Sequence, residues 1–447
     1  MQPREPAQTN TTGQPESPES DHAVPGAARP AAARARLAGE LRRHGHPLSE
    51  SVLEAFEQVP RHVFVPEIGP AAAYRDEAFV IKCGPDGLPV SSSSQPAMMA
   101  IMLDQLDLRP GHRVLEIGTG SGYNAAVMSV VVGAGGEVVT IDIDPELVAR
   151  ARASLRATGF DGVTVQCADG GFGDPLRAPY DRIIVTAGAW DIAPAWLDQL
   201  VPAGRLVLPL SIRGIQLSIG LERAGACWRS TSAWRCGFVR MLGAFAGPEA
   251  VMRLGEPAAL VFQMSDGSPV DAAALRAALA GEACDASVQV PLAGVAELAD
   301  LDLWLTMTAC GLDRLTVLAA PGGWLRLAPL PPFGALIDGA TTADQLGAAI
   351  LLPADLAPEP ASPLRADGWS GALLRGFGPG GPALTARLAD STARWADVGR
   401  PGSRAMQITV WPPGEVSNRP PCDWLVLERP SVTLAARWPE LAGRGDG

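Results

Sequence analysis

The chain has 447 residues, a net charge of −12 and 47% hydrophobic residues, more apolar sequence than one core usually takes up, so two domains and a tail are expected. The acidic balance and the lack of a Lys/Arg cluster exclude a nucleic-acid partner held mainly through its phosphates. No apolar run reaches 18 residues and the N-terminus lacks the basic-then-apolar order of a signal peptide, so no membrane partner is expected and the location is read as cytoplasmic.

Residues 1–33 are rich in Pro, Gln, Thr, Ser, Glu and Ala, a composition that predicts a disordered tail. Two short helices follow, LAGELRRHG and SESVLEAFEQV, the second with Ser49 and Ser51 as candidate caps. From Arg113 strand-like and helix-like runs alternate: RVLEI, a helix to Val132, EVVTID, PELVARARASLRA, VTVQC, YDRIIVTA, APAWLDQLV and GRLVLPL. That order predicts a doubly wound, mainly parallel α/β sheet over residues 34–247, closed at one edge by an antiparallel hairpin of IQLSIGLER and AWRCGFVRM. Beyond Pro248, AALVFQM, DLWLTMT, RLTVLAA and WLRLAPL read as strands, and DAAALRAALAG and TADQLGAAIL as helices. A second mixed α/β domain over 248–447 is expected, with a proline-rich linker near 353–368, then the helix TARLADSTARWADVG and the strands MQITVWP and DWLVLER. The seven cysteines, at 83, 167, 227, 236, 284, 310 and 422, show no paired short spacing, which predicts neither a metal site nor a disulfide framework.

The segment RVLEIGTGSGY carries the chemistry. A strand ends at Glu116 and passes into Gly118, Thr119, Gly120 and Gly122, with Tyr123 opening the next helix. Glycines there let the backbone turn sharply and a ligand lie against it. The spacing departs from the Gly-x-Gly-x-x-Gly of dinucleotide sites, and Lys82, the only lysine, cannot complete a Walker motif. A second acid, Asp142, ends the next strand roughly 20 residues on, where such folds bind ribose hydroxyls. Asp142 also has the alternative of capping the helix at Pro145, a role for which Asp144 competes. Two strand-end carboxylates suit a ligand with a diol and a cationic amino-acid end, so the loop reads as the cofactor site of an S-adenosylmethionine (SAM)-dependent, Rossmann-like methyltransferase.

The segments VPRHVFVPE, AYRDEAFVI, SSSSQPAMMAIML, PGHRVLEIGTGSGYNAAVM, ADGGFG, YDRIIVTAGA and VPAGRLVLPL, in that order, resemble the protein L-isoaspartate O-methyltransferase family. The resemblance implies transfer of a methyl group from SAM to an aspartyl-derived carboxylate in a peptide, followed by collapse of the ester to a succinimide. It implies that Ser94, or Ser93 if the register differs by one, stands in the position of the active-site serine, with Gln95 and Pro96 on the substrate side. Asp169 of ADGGFG matches the family's adenine-side acid, with Gly170 beside it, and Ile143 follows Asp142 in the cofactor site. Each has a plainer alternative: Asp169 as a turn former, Ser91–Ser94 as a polar loop or helix cap, and Arg61 as a pin between an early helix and the sheet.

The stretch IKCGPDGLPVSSSSQP is longer than the family's corresponding segment and replaces Gln-Thr-Ile with serines, and residues 248–447 follow where repair enzymes stop. This layout is similar to an extended branch acting on ribosomally made, modified peptides, notably the FxLD-type methyltransferases linked to lanthipeptide clusters. It implies esterification of an aspartate in a precursor peptide, leading to aspartimide or isoaspartate. The alternatives are a general isoaspartyl repair enzyme with an appendage, and a non-catalytic peptide-binding assembly protein. Trp304, Trp324, Trp369, Trp395, Trp411, Trp424 and Trp438 lie in the extension; core packing accounts for most of them, and an aromatic surface that captures the peptide or builds a homodimer is the competing reading. On that competing reading, deletion of 248–447 leaves SAM affinity intact and reduces turnover on the peptide.

Overall fold

The computed structural model describes residues 30–439 except 44, 47, 255–259, 265–269, 309–311, 320–333, 339–345, 354–368 and 414–424. The expectations for residues 1–29, for most of the linker near 353–368, for WLRLAPL, and for Trp324, Trp424, Cys310 and Cys422 lie outside the described residues.

Among the described residues four α-helices, not two, precede the first hairpin: α1 (Pro30–Arg42), α2 (Glu50–Gln58), α3 (Arg61–Phe64) and α4 (Pro70–Ala73). In α1, Ala33, Leu37 and Leu41 recur every fourth residue and are buried, the stripe that seats a helix on a core. The α1 helix takes in Pro30–Ala33, which the composition had assigned to the tail. Ser49 occupies the cap of α2 without a side-chain capping bond, and Ser51 lies inside the helix. An antiparallel hairpin follows, β1 (Phe79–Cys83) with β2 (Pro89–Ser93), so three of the four serines belong to a strand instead of a loop.

The doubly wound part is as expected. It comprises α5 (Pro96–Leu106), β3 (Arg113–Ile117), α6 (Tyr123–Val132), β4 (Glu137–Asp142), α7 (Pro145–Ala157), β5 (Thr164–Cys167), β6 (Tyr180–Val185), α8 (Pro194–Asp198), β7 (Leu200–Ile212), β8 (Ile215–Ala224) and β9 (Cys227–Arg235). β3, β4, β5, β6 and β7 are parallel, while β8 and β9 return antiparallel. β3 lies between β4 and β6, so the chain winds outward to β5 and then comes back to the other side of β3. That switch point opens a crevice beyond the strand ends. Leu115, Ile117, Ile183 and Val185 join one hydrophobic cluster and Val114 and Ile184 another, the alternation of strands covered on both faces.

Two expectations are corrected at the far side of the sheet. The strand after β8 is CWRSTSAWR, and CGFVRM instead runs irregularly along the crevice, bridged once to Gly188 through Arg240. Nor is β9 an edge. The extension supplies β10 (Ala250–Leu254), β11 (Leu260–Met264), α9 (Ala272–Ala280), β12 (Cys284–Val288), α10 (Val295–Thr308), β13 (Leu312–Ala319), β14 (Gly334–Asp338), β15 (Gly347–Pro353), β16 (Ala372–Phe377), α11 (Gly381–Asp397), β17 (Gln407–Trp411), β18 (Leu425–Glu428) and β19 (Thr433–Arg437). β10 to β16 form a seven-stranded antiparallel sheet, but β17, β19 and β18 continue the first sheet beyond β9, making it ten-stranded. DLWLTMT is the end of α10 and GAAILLP is β15, the reverse of their expected types. GAAILLP is a short, continuously apolar run that cannot be typed by period, and β15 is buried on both faces in mid-sheet, whereas DLWLTMT alternates Leu303, Leu305 and Met307 as a strand would but is buried from Asp302 to Met307 in α10.

The extension therefore shares the core of residues 34–247. One cluster runs from Leu115 and Ile183 through Trp228 to Trp304, Trp369, Trp395 and Trp438. These four tryptophans pack inside, the plainer of the two readings. Buried Asp302 on α10 accepts from Arg235 on β9 at 3.1 Å and from buried Arg314 on β13 at 2.9 Å, and Arg314 also donates to Gly214 O at the β7–β8 turn. Among the described residues no helix is long and apolar enough to cross a membrane, no acidic, histidine or cysteine group could hold a metal ion, and five cysteines are free.

Candidate active site

The glycine loop is built by backbone conformation. Gly118, Gly120 and Gly122 all have positive φ (103°, 51° and 85°), a region that side chains with Cβ rarely occupy. A Cβ on Gly118 would also lie 2.6 Å from Thr186 Oγ1, and one on Gly122 would lie 3.1 Å from the Ala151 Cβ of α7. Thr186 ties the loop down by donating to Ile117 O and Gly118 O at 3.0 and 2.7 Å.

Glu116 is buried and accepts from Thr140 Oγ1 at 2.7 Å and Asn124 Nδ2 at 2.8 Å. Burial outweighs those hydrogen bonds and raises its pKa to about 7. Asp142 accepts from Gly120 N at 2.9 Å and Asp144 N at 3.0 Å, and burial raises its pKa as well. Asp144 takes the helix cap, accepting from Glu146 N and Leu147 N, and pairs with Lys82 of β1 at 2.6 Å. Asp142 is thereby left free of the helix cap and lines the crevice.

The crevice, about 1050 Å³ with its open mouth, is lined by the glycine loop, Glu116, Asn124, Asp142, Ile143, Gly170, Ser91–Ser94 and the segment Phe238–Leu242. Ser93 Oγ accepts from Arg61 Nη2 at 3.3 Å, and Ser94 O accepts from the same nitrogen at 2.9 Å. Of the residues expected here, Ser93, Ser94, Glu116, Gly118, Thr119, Gly120, Tyr123, Asp142, Ile143 and Gly170 converge on this one space.

Four do not line it, the first being Gly122, which turns the loop against Ala151 of α7. Asp169 caps the turn Gly170–Phe172 and accepts from Gly171 N at 2.9 Å and Ala244 N at 2.7 Å, so both oxygens hold backbone. Gln95 donates to Asp76 at 2.8 Å, and Pro96 is buried at the first turn of α5. The residues missed by the sequence reading are Asn124, Thr140 and Thr186, which secure the carboxylates and loop, and the segment 238–242. That segment is fixed by Gln216, which accepts from Phe238 N at 2.6 Å, and by Gly188, which bonds Val239 and Met241. Thr186 sits in the quoted YDRIIVTAGA, but a buried hydroxyl that serves a loop 68 residues away leaves no local signal.

The donor set fits a sulfonium cofactor bearing a diol and an ammonium group. The charged side chains lining the crevice are three carboxylates, Glu116, Asp142 and Asp144, and one cation, Arg240. Asn124 Oδ1 and the Tyr123 hydroxyl are buried there with no hydrogen-bond partner among the described residues. Met99, Met102, Ile143 and Leu147 supply apolar wall. A doubly wound sheet whose glycine loop and two strand-end acids meet at the switch point defines a SAM-dependent methyltransferase.

Comparison with known proteins narrows the class. The family model for protein-L-isoaspartate(D-aspartate) O-methyltransferase matches residues 32–243. A protein-L-isoaspartate O-methyltransferase of Methanopyrus kandleri is 44% identical over 223 residues, covering 49% of this chain and 96% of its own. Protein-L-isoaspartate O-methyltransferase 2 of Archaeoglobus fulgidus is 49% identical over 177 residues, 40% of this chain and 78% of its own. The chain belongs to the protein-L-isoaspartate O-methyltransferase family and is a SAM-dependent carboxyl O-methyltransferase.

Proposed function

We propose that the enzyme methylates the carboxylate of L-isoaspartyl residues in polypeptides. The observation that carries this reading is the match over 32–243, which spans both the cofactor loop and the serine segment of the crevice wall. A carboxylate is ionised at neutral pH, so it attacks the methyl group without a general base. The protein's task is to hold it in line and exclude water. A serine hydroxyl such as that of Ser94 orients the carboxylate with one hydrogen bond and leaves its charge in place. Once the ester forms, the neighbouring backbone nitrogen attacks its carbonyl, methanol leaves and a succinimide remains.

One observation favours a narrower reading, in which the substrate is a matured biosynthetic peptide of the lanthipeptide kind. The extension reaches the substrate side of the crevice: Arg253 of β10 donates to Asp86 O at 2.8 Å, and the Asp86 carboxylate lies 3.8 Å from Arg240. The names of the relatives support the general isoaspartyl reading better. Transfer of labelled methyl from SAM to a generic isoaspartyl peptide, with release of labelled methanol in mild base, tests it. Reaction only with a cyclised precursor peptide transfers the assignment to the narrower reading.

A further inference from the structure

Arg61 is fully buried and forms no ion pair among the described residues, an expensive state for a guanidinium. Its Nη2 donates to three oxygens, Glu77 O at 3.2 Å, Ser93 Oγ at 3.3 Å and Ser94 O at 2.9 Å. Nε and Nη1 have no hydrogen-bond partner among the described residues. The guanidinium rests 5.3 Å from the Phe79 ring centre and 5.5 Å from that of Tyr123. Asp76, an acid whose charge reaches it, spends one oxygen on Gln95 and the other on Ala97 N. Two other buried arginines are compensated: Arg182 has Asp107 at 3.4 Å and Arg314 has Asp302 at 2.9 Å.

The place of this charge is informative. Ser93, Ser94 and Tyr123 all line the crevice, so Arg61 stands one layer behind the wall where the accepting carboxylate is expected. We propose that Arg61 is a positioning residue for methyl transfer: a buried cation that fixes the Ser93–Ser94 wall and whose counter-ion is the substrate carboxylate itself. The inference rests on the carboxylate-methylating reading above. Set back from the crevice, the charge favours an anionic substrate without a direct clamp on the attacking oxygen, which would weaken the nucleophile. The plainer role, a pin between α3 and the hairpin, explains the three hydrogen bonds and leaves the missing counter-charge unexplained.

The test uses the full chain saturated with S-adenosylhomocysteine. Calorimetry compares an isoaspartyl peptide with its isoasparaginyl twin, in which the carboxylate is a neutral amide. Wild type is expected to bind the acid about tenfold or more tightly than the amide. Arg61→Met and Arg61→Gln should lose that preference and raise KM for the acid by a similar factor, with affinity for S-adenosylhomocysteine unchanged. Arg61→Lys should restore most of the preference, since one ammonium can serve the same three oxygens. A folded Met or Gln variant that keeps the preference overturns the proposal, as does a lysine variant no better than methionine. If wild type neither binds nor methylates the acid, the isoaspartyl reading falls, and Arg61's role falls with it.

Discussion

The backbone N–H of Ser431, in the turn between β18 and β19, donates to the Asp191 carboxylate at 2.9 Å. Beside it, the Arg429 guanidinium lies 3.8 Å from the Trp190 ring centre. The end of the extension is thus fastened to the loop after β6, a few residues from Thr186 and Gly188 at the crevice. Removal of 248–447 strips β17 from β9 and opens the shared core, so it should abolish S-adenosylhomocysteine binding and turnover together. A soluble fragment 30–247 that binds the ligand normally in calorimetry would show that the extension is separable.

A finer cut reaches the same seam. Asp302→Asn leaves Arg314 buried with its partner neutralised, and breaking such a pair costs about 3–5 kcal/mol. The melting temperature should drop sharply. A change of a degree or two would mean that water reaches Arg314.

Glu116 makes stability depend on pH. Its pKa is about 7 in the folded chain against 4.5 for the free group, so between these values the folded state holds a proton that the unfolded state has lost. The stabilisation is complete below pH 4.5 and disappears as pH rises through 7, a change of about 3 kcal/mol at most. Denaturant melts of the ligand-free protein between pH 5 and 8 should show this slope, and Glu116→Gln should flatten it. Equal slopes in both proteins would contradict the raised pKa.

Asp142→Ala removes the acceptor for Gly120 N and Asp144 N, along with the acid assigned to the cofactor diol. Affinity for S-adenosylhomocysteine should fall about tenfold to a hundredfold, the worth of one or two hydrogen bonds to a charged group. Unchanged affinity would return Asp142 to a purely structural part.

Ser94→Ala should leave that affinity intact and lower kcat about tenfold or more, because its hydroxyl is assigned to the substrate. Equal loss of cofactor binding would show that the serine segment supports the glycine loop instead.

The cofactor half of the site was legible because its signals are local: Glu116, the three glycines and Asp142 lie at strand ends whose period and spacing can be counted. Even there, the capping competition between Asp142 and Asp144 was settled only by geometry, with Asp144 bonding the first turn of α7. The substrate half is made by contacts distant in sequence. Gln216 holds Phe238, Arg61 holds Ser94, and Asp169 holds Ala244 across 75 residues. The extension misled for a different reason. GAAILLP is apolar throughout, and DLWLTMT alternates Leu303, Leu305 and Met307 as a strand would yet is buried from Asp302 to Met307, so only their neighbours decide that one is a central strand and the other the end of a helix. A chain boundary drawn at 247 also could not foresee that β17 would pair with β9, since pairing between distant strands leaves no mark in either one.

The most direct measurement is a mass spectrum of two peptides of one sequence, one with an L-isoaspartyl and one with a normal aspartyl linkage, incubated with the full chain and SAM. The isoaspartyl peptide should gain about 14 Da and then settle about 18 Da below its starting mass as methanol leaves, while the aspartyl peptide stays unchanged. Methylation of the aspartyl peptide alone, or of neither, would contradict the assignment of this crevice to isoaspartyl carboxylates.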